Sequence, residues 1–177
     1  MHIAAEPNVL TVCYNFGCKS KGHAQLNQSD LDELHHFFVD IKTAKQERMQ
    51  IRSAIAKMEQ IVARTLPTRN DVAGNYKEDM PEDGQLDCID ESMNTTTYLV
   101  FFESNGWLKH HTVQSRVVRT PHIFDYHWAA VIREYDSGQL YAVDSWFDDN
   151  GKPPVIEKLE VWQQKGNART PVRFRQR

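Results

Sequence analysis

Between Ser29 and Leu66 apolar residues recur at helical spacing, and neither Gly nor Pro interrupts them. Leu31, Leu34, Phe38 and Ile41 make one stripe; Ile51, Ile55, Met58 and Val62 make another. A stripe of this kind covers one face of a helix and is most simply a core-facing surface. The phase slips between Ile41 and Ile51, around Ala44 to Arg48. That predicts either one bent helix or two helices meeting there. Ser29-Asp30-Leu31-Asp32 supplies a start, with Ser29 as N-cap and Asp32 three residues on, and Pro67 supplies the stop.

On either side the pattern is different. Val9 to Phe16 is β-branched and aromatic and predicts a short strand; Lys19 to Gln28 is polar and reads as a loop. Thr68 to Gly84 has no periodicity, and long connections of this kind tend to be functional. Met93 to Phe102 reads as a mostly buried helix with Gly106 just past its end. Beyond Gly106 the period changes to that of strands. Val113, Val117 and Val118 lie in one, His127 to Glu134 in a second, and Leu140 to Phe147 in a third that returns after the turn Asp136-Ser137-Gly138. Asp149 to Pro154 is another turn, and Val161 and Trp162 pack at the end of the domain. The expectation is a single α+β domain over 1–177. It divides into an N-terminal strand and loop (1–28), a helical region (29–66), and a cysteine-bearing helix with an antiparallel sheet (84–165).

The chain's 177 residues are enough for one domain with a real core. A net charge of −3 with no basic stripe argues against nucleic acid as a partner. The basic segment Arg169 to Arg177 reads as a solvated tail. No apolar run approaches the ~20 residues that span a bilayer. The first residues lack a basic start and an apolar core of a signal peptide. The chain therefore reads as cytoplasmic, or as a periplasmic or secreted protein after loss of its signal.

There are three cysteines. Cys13 and Cys18 flank Tyr14-Asn15-Phe16-Gly17, and Gly17 allows a tight turn that brings them within disulfide range. A zinc site from Cys13, Cys18 and His23 is a weaker reading, without a fourth ligand nearby. Two reduced cysteines near a strand end are the plain alternative.

Cys88 is the odd thiol. It follows Gly84-Gln85-Leu86-Asp87, where a loop turns into a helix. Unpaired N–H groups and the dipole at a helix start favour a thiolate, although a lone cysteine beside apolar residues is more often an inert core residue. A thiol nucleophile needs an imidazole base, and the base needs an orienting carboxylate. Suppose Tyr135 to Gly138 form a four-residue loop, so that Glu134 opposes Gln139. Ala129 then opposes Asp144, and His127 and Asp144 share one face on a diagonal within side-chain reach. A loop one residue shorter would separate them. Ala129, Val131, Leu140 and Ala142 share that face, an apolar surface suited to a covering helix. His110, His111 and His122 compete as bases, the first two at a strand start on the surface. Asp125 competes as the carboxylate.

Asp87-Cys88-Ile89-Asp90, His127-Trp128-Ala129-Ala130-Val131 and Val143-Asp144-Ser145-Trp146, in that order, resemble the bacterial transglutaminase-like cysteine proteinases of the papain-like superfamily. The resemblance implies a cysteine helix against an antiparallel sheet, a Cys88-His127-Asp144 triad, and hydrolysis or acyl transfer at amide bonds of a protein or peptide. A non-catalytic binding module with a structural Cys88 is the alternative. For the oxyanion the Cys88 N–H is one donor, and Gln85 is the candidate side chain. No cofactor is required. Asp87, Asp90 and Glu91 crowd the cysteine, where acids complement the helix dipole. Carboxylates beside a cysteine oppose thiolate formation, and a bound calcium would cancel that opposition. The resemblance points to calcium at Asp87 and Asp90, with Glu91 less directly matched.

Overall fold

The helix that begins at Cys88 lies between two antiparallel sheets of an α+β fold. The structure is a computed structural model that describes residues 8–74, 83–122 and 125–165, apart from the side chains of Pro121, His122 and Asp125. The first sheet pairs β1 (Val9–Tyr14) with β2 (Ser20–Gln25), from Val9 opposite Gln25 to Tyr14 opposite Ser20. The polar sequence of β2 reads as loop. It is a strand because β1 supplies its ladder, and only Ala24 of its side chains is buried.

Two helices follow, α1 (Gln28–His36) and α2 (Ala44–Val62). The break therefore falls earlier than the slip in hydrophobic phase. Asp40 adopts a left-handed φ of 60° there, and Thr43 starts α2 by accepting from the Gln46 N–H. The cap of α1 is Asn27 and not Ser29. Asn27 accepts from the Asp30 N–H while Asp30 accepts from the Asn27 N–H, which satisfies two orphan donors at once. Pro67–Asn70 forms a short 3-10 helix, and residues 75–82 of the long connection lie outside the described set.

Helix α3 (Cys88–Ser104) is capped by Asp87 and Asp90 in the same reciprocal way. It ends at Asn105 with Gly106 at a φ of 70°, as its sequence predicts. Tyr98, Leu99 and Phe102 of α3 join Ile51, Ile55 and Met58 of α2, and Leu10 and Val12 of β1, in the main core. Burial of each large apolar side chain there contributes ~1.5–3 kcal/mol.

The second sheet runs β3 (His111–His122), β4 (Asp125–Glu134), β5 (Leu140–Asp144) and β6 (Val155–Lys158), in that spatial order. Ala130, Ile132 and Val143 point into the main core beneath α3. The alternate residues Ala129 and Ala142 point the other way and are covered by Leu159 and Trp162 of α4 (Leu159–Gln164). The sheet thus has a different helix on each face. His111 opens β3 but is fully buried, which corrects the surface placement read from its neighbours. Glu47 of α2 reaches across to its Nδ1 at 2.7 Å and also accepts the N–H groups of Lys109 and His110.

Candidate active site

The Glu134 N–H donates to Gln139 O at 2.9 Å, and Ala130 stands opposite Val143. This is the four-residue connection, so His127 and Asp144 lie on one face. His127 Nε2 and Asp144 Oδ2 are 2.6 Å apart, both side chains almost fully buried. An ionised carboxylate only accepts, so Nε2 carries the proton and Nδ1 is left basic.

Two further groups hold the carboxylate. Trp162 Nε1 donates to Asp144 Oδ2 at 2.7 Å, and the Trp146 N–H reaches Oδ1 at 3.4 Å. The rings of Trp146, Phe147 and Trp162 stand 4.9, 5.2 and 5.7 Å from the His127 ring centroid. On β3, Arg119 opposes His127 and lays its guanidinium 4.4 Å from the Trp162 ring centroid, with Nη1 donating to Trp162 O. The sequence reads Trp162 only as a packing residue at the end of the domain. Its indole N–H as a partner of Asp144 has no local signal, because α4 must first fold back over the sheet.

The face that carries His127 is the one under α4, whereas α3 covers the other. His127 therefore lies on the sheet face away from the cysteine helix, and among the described residues no hydrogen bond joins the Cys88 sulfur to its ring; Cys88 meets instead the backbone on either side of His127, along the strand edge. Even-numbered residues of β4 turn their backbone groups toward β5, as the Glu134 bond requires. Tyr126 and Trp128 do so beyond Asp144, where β5 has ended. Cys88 fills that edge: its Sγ donates to Tyr126 O at 3.6 Å, and the Trp128 N–H points at the sulfur. The thiol is thus bonded to the residues on both sides of His127. A 2.8 Å hydrogen bond between Thr95 and Ser145 fastens α3 to the residue just past β5.

The electrostatics differ from the expectation of a low thiol pKa. Burial foremost, and then the charges of Asp87 and Asp144, push the Cys88 thiol up to about 11. The N–H groups of Trp128 and of Cys88 itself pull the other way and do not win. Cys88 is a neutral thiol at neutral pH in this conformation.

Cys13 and Cys18 form a disulfide, and Cys88 is the free cysteine. His23 instead approaches Thr11, Nδ1 to Oγ1 at 3.2 Å. Asn15, Phe16, Gly17 and Cys18 inside the disulfide ring all have left-handed backbones, with φ between 57° and 67°. This turn docks on the start of α3. The Cys18 N–H donates to Asp90 at 2.5 Å, the Asn15 N–H to Gln85 O at 2.9 Å, and Asn94 exchanges two hydrogen bonds with the Cys13 backbone.

The acids beside Cys88 are employed in the same framework. Asp87 accepts from the Ile89 and Asp90 N–H groups, and Asp90 from the Asp87 and Cys18 N–H groups. Glu91 points elsewhere. It is buried beside Glu59 and Asp71, and burial above all pushes its carboxyl well above the usual range. The oxygens of Asp87, Asp90 and Glu91 do not all come within 4.8 Å of one another. Capping engages both oxygens of Asp90 and Oδ1 of Asp87, while Asp87 Oδ2 takes part in none of these bonds. Gln85 is fully buried, and its Nε2 donates to Asn70 O at 2.6 Å, so it braces the loop before Cys88. The competitors His122 and Asp125 have side chains outside the described set.

No protein-family model, curated protein or solved structure matches the chain.

Proposed function

We propose that the protein is a thiol-dependent hydrolase or acyltransferase acting on amide bonds of a peptide or protein. Cys88 would be the nucleophile, His127 the base and later the acid, and Asp144 the orienting group. The observation that carries this reading is the seating of the Cys88 sulfur against the backbone flanking His127, while Nε2 of that imidazole is occupied by Asp144.

A neutral thiol selects general-base chemistry over a standing thiolate–imidazolium pair. The Cys88 proton passes to His127 Nδ1 as the sulfur bonds to the amide carbon. The oxyanion takes the Cys88 N–H, which lies beside the sulfur and outside the pair of amides that Asp87 caps. As the intermediate collapses, the C–N bond breaks and His127 returns the proton to the leaving amine. Water or a second amine then cleaves the thioester. The aromatic rings around His127 keep water from competing for the imidazole.

A second reading, a non-catalytic binding module with Cys88 structural, is favoured by the raised thiol pKa. Iodoacetamide labelling at neutral pH separates the two. A general base predicts that Cys88 labels faster in the native protein than in His127→Ala, by about tenfold or more. Equal rates in the two proteins would retire the enzyme reading. A panel of N-acylated peptide anilides, with Cys88→Ala as the blank, then reports hydrolysis directly.

A further inference from the structure

Arg116 lies where the β3–β4 register shifts, between Gln114 and Val117. A bulge re-aims a side chain, and here it turns Arg116 toward the start of α3. Nη1 donates to Ser92 Oγ at 2.9 Å, and the guanidinium carbon stands 5.0 Å from the Trp128 ring centroid. Ser92 is four residues after Cys88 on α3. The guanidinium is therefore about 6 Å along the helix from the thiol-bearing position. Tyr126 and Val118, 61 % and 38 % exposed, continue an accessible surface beside Trp128, which stands opposite Val118.

Among the described residues the cation has no acid of its own. Arg48 pairs with Glu134 and Arg64 with Asp30, but among the described residues no carboxylate forms an ion pair with Arg116. Half-buried, it has lost water without gaining a counter-charge from any described residue. Burial foremost pushes its pKa down, and among the described residues the charge of an ionised Cys88 pulls it back up. A guanidinium presents donors along two edges, and Ser92 engages one nitrogen.

We propose that Arg116 receives a carboxylate of the substrate, carried on the residue next to the bond that Cys88 attacks. The proposal rests on the nucleophile reading above and adds a substrate class to it: acidic acyl donors, with either an acidic side chain or a free α-carboxylate adjacent to the scissile bond. The carboxylate supplies a counter-charge that no described residue provides, and Trp128 supports the plane of the guanidinium.

Two nearly isosteric reagents test this. Iodoacetate carries a carboxylate and iodoacetamide an amide, and both alkylate Cys88, the free thiol. The ratio of their rates is measured for the native protein, Arg116→Gln and Arg116→Lys, each normalised to a small cysteine peptide. The native ratio is expected to favour iodoacetate. Arg116→Gln should lower it about tenfold or more, and Arg116→Lys should fall between; the ratio cancels any change in thiol ionisation common to both reagents. In parallel, the Trp128 indole resonance is followed while an N-acetylated dipeptide acid, or its amide, is titrated. The acid should shift it saturably in the native protein and not in Arg116→Gln. A ratio and a shift that are indifferent to Arg116→Gln would overturn the carboxylate site, even with His127-dependent labelling intact. An acid-specific shift lost in Arg116→Gln, with labelling indifferent to His127, would uphold the binding site and overturn the nucleophile reading.

Discussion

His127 Nε2 and Asp144 Oδ2 lie 2.6 Å apart across 17 residues of sequence, because Ala130 stands opposite Val143 in the hairpin that joins them. The pair is buried under α4, with the Trp162 indole as a second donor to the same oxygen. Everything that depends on a basic Nδ1 depends on this contact.

Asp144→Asn keeps the volume and removes the charge. The amide can donate to Nε2, which would leave the wrong tautomer for taking a proton from Cys88. Under the proposed function, peptide-anilide hydrolysis is expected to fall on the order of 10²–10⁴-fold, and stability by about 1–3 kcal/mol, because the Trp162 N–H then faces an amide in place of a carboxylate oxygen. Steady-state kinetics beside urea melts checks both halves.

Trp162→Phe retains the ring over His127 and deletes one N–H. Asp144 then loses a buried donor, and the expected cost is about 1–3 kcal/mol of stability. Trp162→Ala should cost more, since the residue is fully buried in the smaller core. Denaturant melts of the two variants would expose an error if Trp162→Phe matched the native protein.

Glu59 gives the fold a pH dependence. Burial raises its carboxyl from 4.5 to about 8, against the opposing hydrogen bond from the Gly151 N–H. Between those values the unfolded chain has lost a proton that the native state retains. Its contribution therefore weakens as pH rises through the window, by up to about 1.4 kcal/mol per pH unit. Carboxylates with depressed values, such as Glu47, slope the other way. The test is the difference between native protein and Glu59→Gln across pH 5 to 8. Parallel stability curves would contradict it.

Reduction of Cys13–Cys18 removes the closure around four left-handed residues, three of which are not glycine. Loss of so short a ring is worth about 2 kcal/mol in the chain-entropy account. Those residues gain by leaving the left-handed region, so the turn should loosen from α3. Hydrogen exchange at the amides of Cys13, Asn15 and Cys18 should accelerate, since each is bonded to α3 or to the loop before it. Unchanged exchange after reduction would show that the docking contacts hold the turn without the disulfide.

The sequence by itself determines much of the candidate site, because its signals there are local. The apolar run after Cys88 and the acids before it place the residue at a helix start. The turn Asp136-Ser137-Gly138 and the period of two narrow His127 and Asp144 to two registers, one of which puts them on one face, and the ladder has that register. The α+β class follows from the same change of period after Gly106.

What tertiary structure decides is every property that needs a partner distant in the chain. The strand β2 exists because β1 pairs with it, and its own residues carry no strand period. His111 looks superficial until Glu47 arrives from α2. The face that carries His127 is apolar in sequence, yet nothing local tells that α4 covers it and that Cys88 comes instead to the edge of β4. The ionisation of Cys88 follows the same rule. A helix start favours the thiolate through bonds within one turn, while burial and the charge of Asp144 oppose it through space, and the through-space effects are larger.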